Sequence, residues 1–185
     1  TSASALTDTV NVAGRITPES FELTEKEKQY GIRVKDQDVT TKKIDLSRVD
    51  HSGLDTCAVI ERHGGTGNVG RSLVAGFELG GGAIASTVAH DSHNLIVLGK
   101  NLEDMSVAAN YLLEVNGGQA VARNGEIKAA VELPVAGLMS DLAPEEVGSS
   151  LKKLKEAISG IGCDLSQPMM ILSSLALAVI PEVRV

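Results

Sequence analysis

Between residues 83 and 99 the chain reads AIASTVAHDSHNLIVLG, and His90, Asp91, Ser92, His93 and Asn94 at its centre gather two imidazoles, a carboxylate, a hydroxyl and an amide. An imidazole with an unperturbed pKa of about 6.5 suits proton transfer near neutrality, so His90 beside Asp91 could serve as an oriented proton shuttle. His90 and His93 are three apart, which puts them on one side of a turn but on opposite faces of a continuous strand. With Asp91 they could also ligate a divalent metal, yet local spacing fixes no third ligand and the chain holds no H-E-x-x-H or H-x-H pattern. Asp, Ser and Asn are equally ordinary turn formers, so a chemical site and a tight turn both remain open.

Two further groups invite the same question. Glu61, Arg62 and His63 stand at the end of an apolar run, where a carboxylate and a guanidinium would pair or simply emerge into water. Gly65, Gly67 and Gly70 in HGGTGNVG satisfy G-x-G-x-x-G, with Asp91 downstream in the place of a ribose-binding acid. That dinucleotide fingerprint requires a helix to begin at the last glycine, and RSLVAGFELGGG reads better as a strand. A glycine-rich hairpin loop is the competing reading.

The elements that must hold these residues follow from periodicity. Residues 54–61 (LDTCAVIE), 71–79, 83–89 and 95–98 read as buried strands bounded by glycine or polar turn residues. Residues 101–115 change period, with Leu102, Met105, Ala109 and Leu112 on one face, Asn101 as N-cap and Gly117 as the stop. Residues 119–122 and 127–133 form a strand pair turned at Asn124 and Gly125. A second helix is expected over 144–159, opening on Pro144, Glu145 and Glu146 and striped by Val147, Leu151, Leu154 and Ile158. Residues 169–180 are apolar almost throughout and should lie inside, as helix or strand. Residues 1–53 read as a polar lead-in with short strand-like pieces at 9–12 and 31–34, and the main domain as 54–185. Grouped strands with two main helices point to an α+β fold, an α/β sandwich of mixed β-sheet layers with no complete barrel.

Composition limits the function classes. Of 185 residues 43% are hydrophobic, but with two Phe, two Tyr and no Trp the core must be aliphatic and aromatic stacking on bases has no platform. A net charge of −7 with no long basic cluster disfavours nucleic acid as a partner, and Lys152, Lys153 and Lys155 read as a solvated helix face. Cys57 and Cys163, far apart in apolar surroundings, argue for core thiols in a reducing compartment. No signal peptide or membrane-length apolar run is visible, so a cytoplasmic protein without membrane association is expected. A first residue that is not Met, and an end on Val185 after AVIPEVRV, suggest a segment of something longer.

AVIERHGGTGNVG, GGAIASTVAHDSHNLIVLG, LPVAGLMSD and LALAVIPEV, in this order and spacing, resemble the C-terminal domain of the adenine deaminase family in the amidohydrolase superfamily. The resemblance covers 54–185, and before it only VNVAGRITPESFEL matches. It implies hydrolysis of adenine to hypoxanthine and ammonia by a water activated on a divalent metal, manganese or iron, whose ligands sit on a barrel outside this chain. It also implies that this segment alone is inactive and packs on the catalytic barrel of the same polypeptide, in a homo-oligomer. His90, Asp91 and His93 would then border the catalytic pocket, with Glu61, His63, Ser92 and Asn94 as substrate-binding candidates and no metal ligand among them. A free-standing nucleotide-binding module and a structural or oligomerisation module are the alternatives.

Overall fold

A computed structural model of the chain describes residues 6–179 and 182–185; residues 1–5 of the lead-in and Ile180 of the terminal apolar stretch fall outside it. The described residues form one open eight-stranded mixed sheet and three helices. In chain order these are β1 (Tyr30–Lys35), β2 (Asp38–Asp45), β3 (Asp55–Ile60), β4 (Val69–Ala75), β5 (Ala83–Ser86), β6 (Leu95–Gly99), α1 (Leu102–Glu114), β7 (Gly118–Arg123), β8 (Glu126–Glu132), α2 (Pro144–Gly160) and α3 (Pro168–Ser174). Across the sheet the order is β2-β1-β4-β3-β6-β5-β7-β8. Neighbours pair antiparallel except β1 with β4, which run parallel. The α+β expectation is met, with a single sheet and no barrel.

The central strands look uniformly apolar because both their faces are covered. Alternation along each strand sorts the residues by size. Ala58, Ala83, Ala85, Ala120 and Ala122 face one side with Leu95 and Val97, and there Met105, Ala108, Ala109 and Leu112 of α1 pack down. Cys57, Ile84, Ile96, Leu98 and Val121 face the other side, against Leu154 and Ile158 of α2 and Ile171, Leu172 and Leu175 in and after α3. Small side chains under α1 let the helix sit close; a Cβ on Gly99 would come within 2.5 Å of Met105 Cγ and 2.8 Å of Ala83 Cβ.

Several local expectations shift. Residues 9–12 form no strand, whereas the 31–34 piece extends into β1. The 71–79 strand begins earlier, at Val69, and stops at Ala75, where Gly76 takes a positive φ of 112°. The 83–89 strand ends at Ser86, because Thr87 turns its hydroxyl onto the Gly137 carbonyl at 2.6 Å and receives the Gly118 amide at 2.8 Å. In α2 the stripe is narrower than drawn: Leu154 and Ile158 are buried, but Leu151 is 46% exposed. The terminal stretch is helical from Pro168 to Ser174 and only partly inside, since Met170 and Val179 are exposed.

The two outer strands carry charge. β8 sets out Glu126, Lys128 and Glu132, and β2 sets out Lys42 and Lys43 between Asp38 and Asp45. Lys43 Nζ lies 3.6 Å from the centre of the Tyr30 ring.

Candidate functional site

The register places the chemistry at one end of the sheet. Ile60 pairs with Leu95 and with Val69, Ser86 with Ile96 and with Gln119, and Gly118 with Glu132. The connections 61–68, 87–94, 115–117 and the segment after Glu132 therefore leave the sheet together. Glu61, His63 and the 90–94 cluster, separated by about 30 positions, become neighbours: His63 Nε2 donates to the Ser92 carbonyl at 2.6 Å.

Residues 89–93 close on themselves by two reciprocal bonds. The His93 amide donates to the Ala89 carbonyl at 2.6 Å, and the Ala89 amide donates to Nδ1 of His93 at 3.3 Å. A ring nitrogen that accepts an amide hydrogen carries no proton, so neutral His93 bears its hydrogen on Nε2. His93 takes a positive φ of 51°, and His90 and Asp91 are joined by a cis peptide. The two imidazoles meet edge to face with centroids 5.3 Å apart. Burial first, then the nearby His90 ring and Arg62 guanidinium, hold the His93 pKa below the ordinary imidazole value. The His90 amide donates to the Ser173 carbonyl at 3.1 Å, tying this loop to α3. His90, Asp91 and Ser92 are exposed.

Glu61 and Arg62 do not pair. Successive residues leaving a strand point to opposite faces, and these two go separate ways. Glu61 accepts the amides of His63 and Gly64 at 2.5 Å on one oxygen, and the amide and hydroxyl of Thr66 at 3.0 and 3.1 Å on the other. Those donors pull its pKa down to about 2 and shape the glycine-rich loop around it. The strand β4 that follows, with Gly70 inside it, replaces the helix a dinucleotide fingerprint needs, so the nucleotide-binding alternative is set aside.

Arg62 is the residue that spacing did not single out. It was expected to pair or to reach water, but it is 3% exposed. Its guanidinium donates from Nε to the His93 carbonyl, from one terminal nitrogen to Thr9 at 3.1 Å and from the other to Ala136 at 3.1 Å. Its own amide donates to Asn94 Oδ1 at 3.3 Å. Among the described residues no carboxylate lies within ion-pair distance of it. A charge so buried persists only when hydrogen bonds satisfy it, and here carbonyls from three separate segments do so. The one sequence signal was a guanidinium directly after a strand as buried as β3.

The residues present do not suit a metal ion. Among the described residues no group of three or more His, Cys, Asp or Glu side chains converges as a ligand set. His93 also spends Nδ1 on an amide, and Glu61 spends both oxygens on its loop. What remains is an exposed polar end of N–H donors and one open carboxylate, flanked by the exposed apolar side chains of Leu6 and Met139. Leu6 and Met139 belong to this end because the Ala136 amide donates to Leu6 and the Val135 amide to Met139. Such a surface can recognise a polar ring or complete a larger cavity. Two cavities of about 320 Å³ lie elsewhere, one beside α1 and one between α2 and α3. No helix among the described residues is long and apolar enough to cross a membrane.

A family model described as the adenine deaminase C-terminal domain matches residues 22–185. A protein of Moorella thermoacetica named adenine deaminase is 48% identical over 131 residues, 71% of this chain and 22% of that protein. Proteins of the same name from Dehalococcoides mccartyi and Clostridium botulinum are 43% and 37% identical over 155 and 190 residues, covering 79% and 96% of this chain. The aligned segments are 27% and 32% of those proteins, so the chain spans about a fifth to a third of the curated relatives it matches.

Proposed function

The chain belongs to the family of adenine deaminase C-terminal domains, and from that premise we propose that it serves a polypeptide converting adenine and water to hypoxanthine and ammonia. In this reading the histidine end of the sheet packs on the catalytic barrel of the same polypeptide and forms one wall of its pocket. The observation that carries the reading is the convergence of His63, His90, Asp91 and His93 with exposed Leu6 and Met139 at that single end. Apolar side chains beside unpaired polar groups are what a completed interface would cover. Manganese or iron would be held by residues outside this chain, which alone would not turn over adenine.

We further propose that the polypeptide is a cytoplasmic homo-oligomer. The cleft between α2 and α3, lined by Leu151, Pro168 and Met170, supports a contact with a second copy.

The test uses the full-length polypeptide. Replacing His90 and His93 together by Ala should lower kcat/KM for adenine by at least tenfold, while Arg123→Ala at the opposite end of the sheet leaves it unchanged. A full-length protein with no adenine deaminase activity, or a double variant as active as the parent, overturns the reading.

A further inference from the structure

The loop 89–93 does more than bring a histidine to the pocket wall; it fixes which hydrogen-bonding group that histidine shows. Ala89 donates to Nδ1, and the ring geometry of imidazole then turns Nε2, with its hydrogen, away from that amide. The same two residues are locked in the reverse direction by the His93 amide on the Ala89 carbonyl at 2.6 Å. Turning the ring over would exchange Nδ1 with Cδ2 and put a carbon opposite the Ala89 amide. The loop as a whole cannot slide, because Arg62 grips the His93 carbonyl and Asn94 receives the Arg62 amide. The same guanidinium holds the Thr9 and Ala136 carbonyls, so the N-terminal segment and the 133–139 segment are set against this loop by one side chain.

We propose that His93 is a specificity-determining residue whose Nε2–H donates to an unprotonated ring nitrogen of the aminopurine remote from the reacting carbon, and that Arg62 is the positioning residue for that donor. The inference rests on the wall-forming role given to this end above. An imidazole fixed as a donor distinguishes a purine nitrogen, which accepts, from a C–H or N–H at the same place, which does not. Arg62 acts through the loop and touches no substrate.

In the full-length polypeptide, adenine is compared with 3-deazaadenine and 7-deazaadenine, each of which replaces one acceptor nitrogen by C–H. His93→Ala should lower kcat/KM for adenine about tenfold, the size of one hydrogen bond in a closed site. For one of the two analogues it should change nothing further, because the bond is already missing. His93→Gln keeps an N–H donor at the reach of Nε2 and should restore most of the discrimination. Arg62→Lys, which keeps the charge but not the three-way fork, should erode the same discrimination without abolishing turnover. Equal losses on adenine and on both analogues would overturn the inference while leaving the domain's place in the enzyme intact. A wild-type polypeptide inactive on adenine would instead overturn the function on which it rests.

Discussion

Single residues decide where this chain is vulnerable to pH. Asp55 is fully buried, with one oxygen accepting the Leu79 amide at 3.3 Å and the other 4.0 Å from Lys100 Nζ without a hydrogen bond. Burial outweighs the Leu79 amide and Lys100, and pushes its pKa up to about 6 from 3.8. The folded state therefore holds the proton more tightly than the unfolded chain, and stability falls as pH rises from about 4 through 6. Asp55→Asn, still able to accept from Leu79, should flatten that fall and stabilise the chain at pH 7 by about 1–3 kcal/mol, read from urea midpoints at pH 4 and pH 7. Residue types alone showed the candidates at 61, 63 and 90–94 but not how they are spent. Glu61 is committed to its own loop, to partners no more than five positions away, whereas Arg62 is committed to three carbonyls 31 to 74 positions away.

At the scale of elements, local pattern carried most of the information where local forces dominate. α1 starts where expected because Asn101 Oδ1 accepts the Asp104 amide at 2.8 Å, and stops where expected because Gly117, at a positive φ of 111°, donates to the Leu112 carbonyl at 2.7 Å. The hairpin turn at Asn124 and Gly125 holds because both residues adopt the left-handed conformation a two-residue turn needs. The two features are one structure: buried Asp104 accepts the Asn124 amide at 3.2 Å and the Gly125 amide at 2.8 Å, besides the Asn101 side chain at 2.8 Å. Asp104→Ala should cost about 2–4 kcal/mol by leaving those donors without partners, against about 1 kcal/mol for Asn101→Ala. Chemical denaturation of the two variants separates them. The elements whose extent was misjudged, the end of β5, the stripe of α2 and the terminal helix, are those whose limits come from distant partners. The Thr87 hydroxyl stops β5 through residues 118 and 137, and no period within 83–89 encodes that.

For the molecule as a whole, helices on both faces of one sheet enclose a mostly aliphatic core among the described residues. On the proposed reading, with the metal held outside this chain, a strong chelator should leave the melting temperature of this chain unchanged while abolishing adenine turnover by the full-length polypeptide, a contrast calorimetry and a deamination assay can show together. Parallel pairing of β1 with β4 draws residues 30–45 into the same sheet as the strands after residue 54, a relation carried by long-range contact and invisible to any local period. The charged outer strands have a different consequence. An open sheet can offer amides and carbonyls at each margin as a template on which another chain adds a strand and grows a fibre, although on β2 the Lys43 amide already donates to the Glu182 carboxylate at 3.3 Å. The charged side chains of Glu126 and Lys128 on β8, and of Lys42 and Lys43 on β2, would have to be desolvated in such a stack, so lateral growth is opposed at both margins. The eight strands are thereby hindered from serving as a template for further ones.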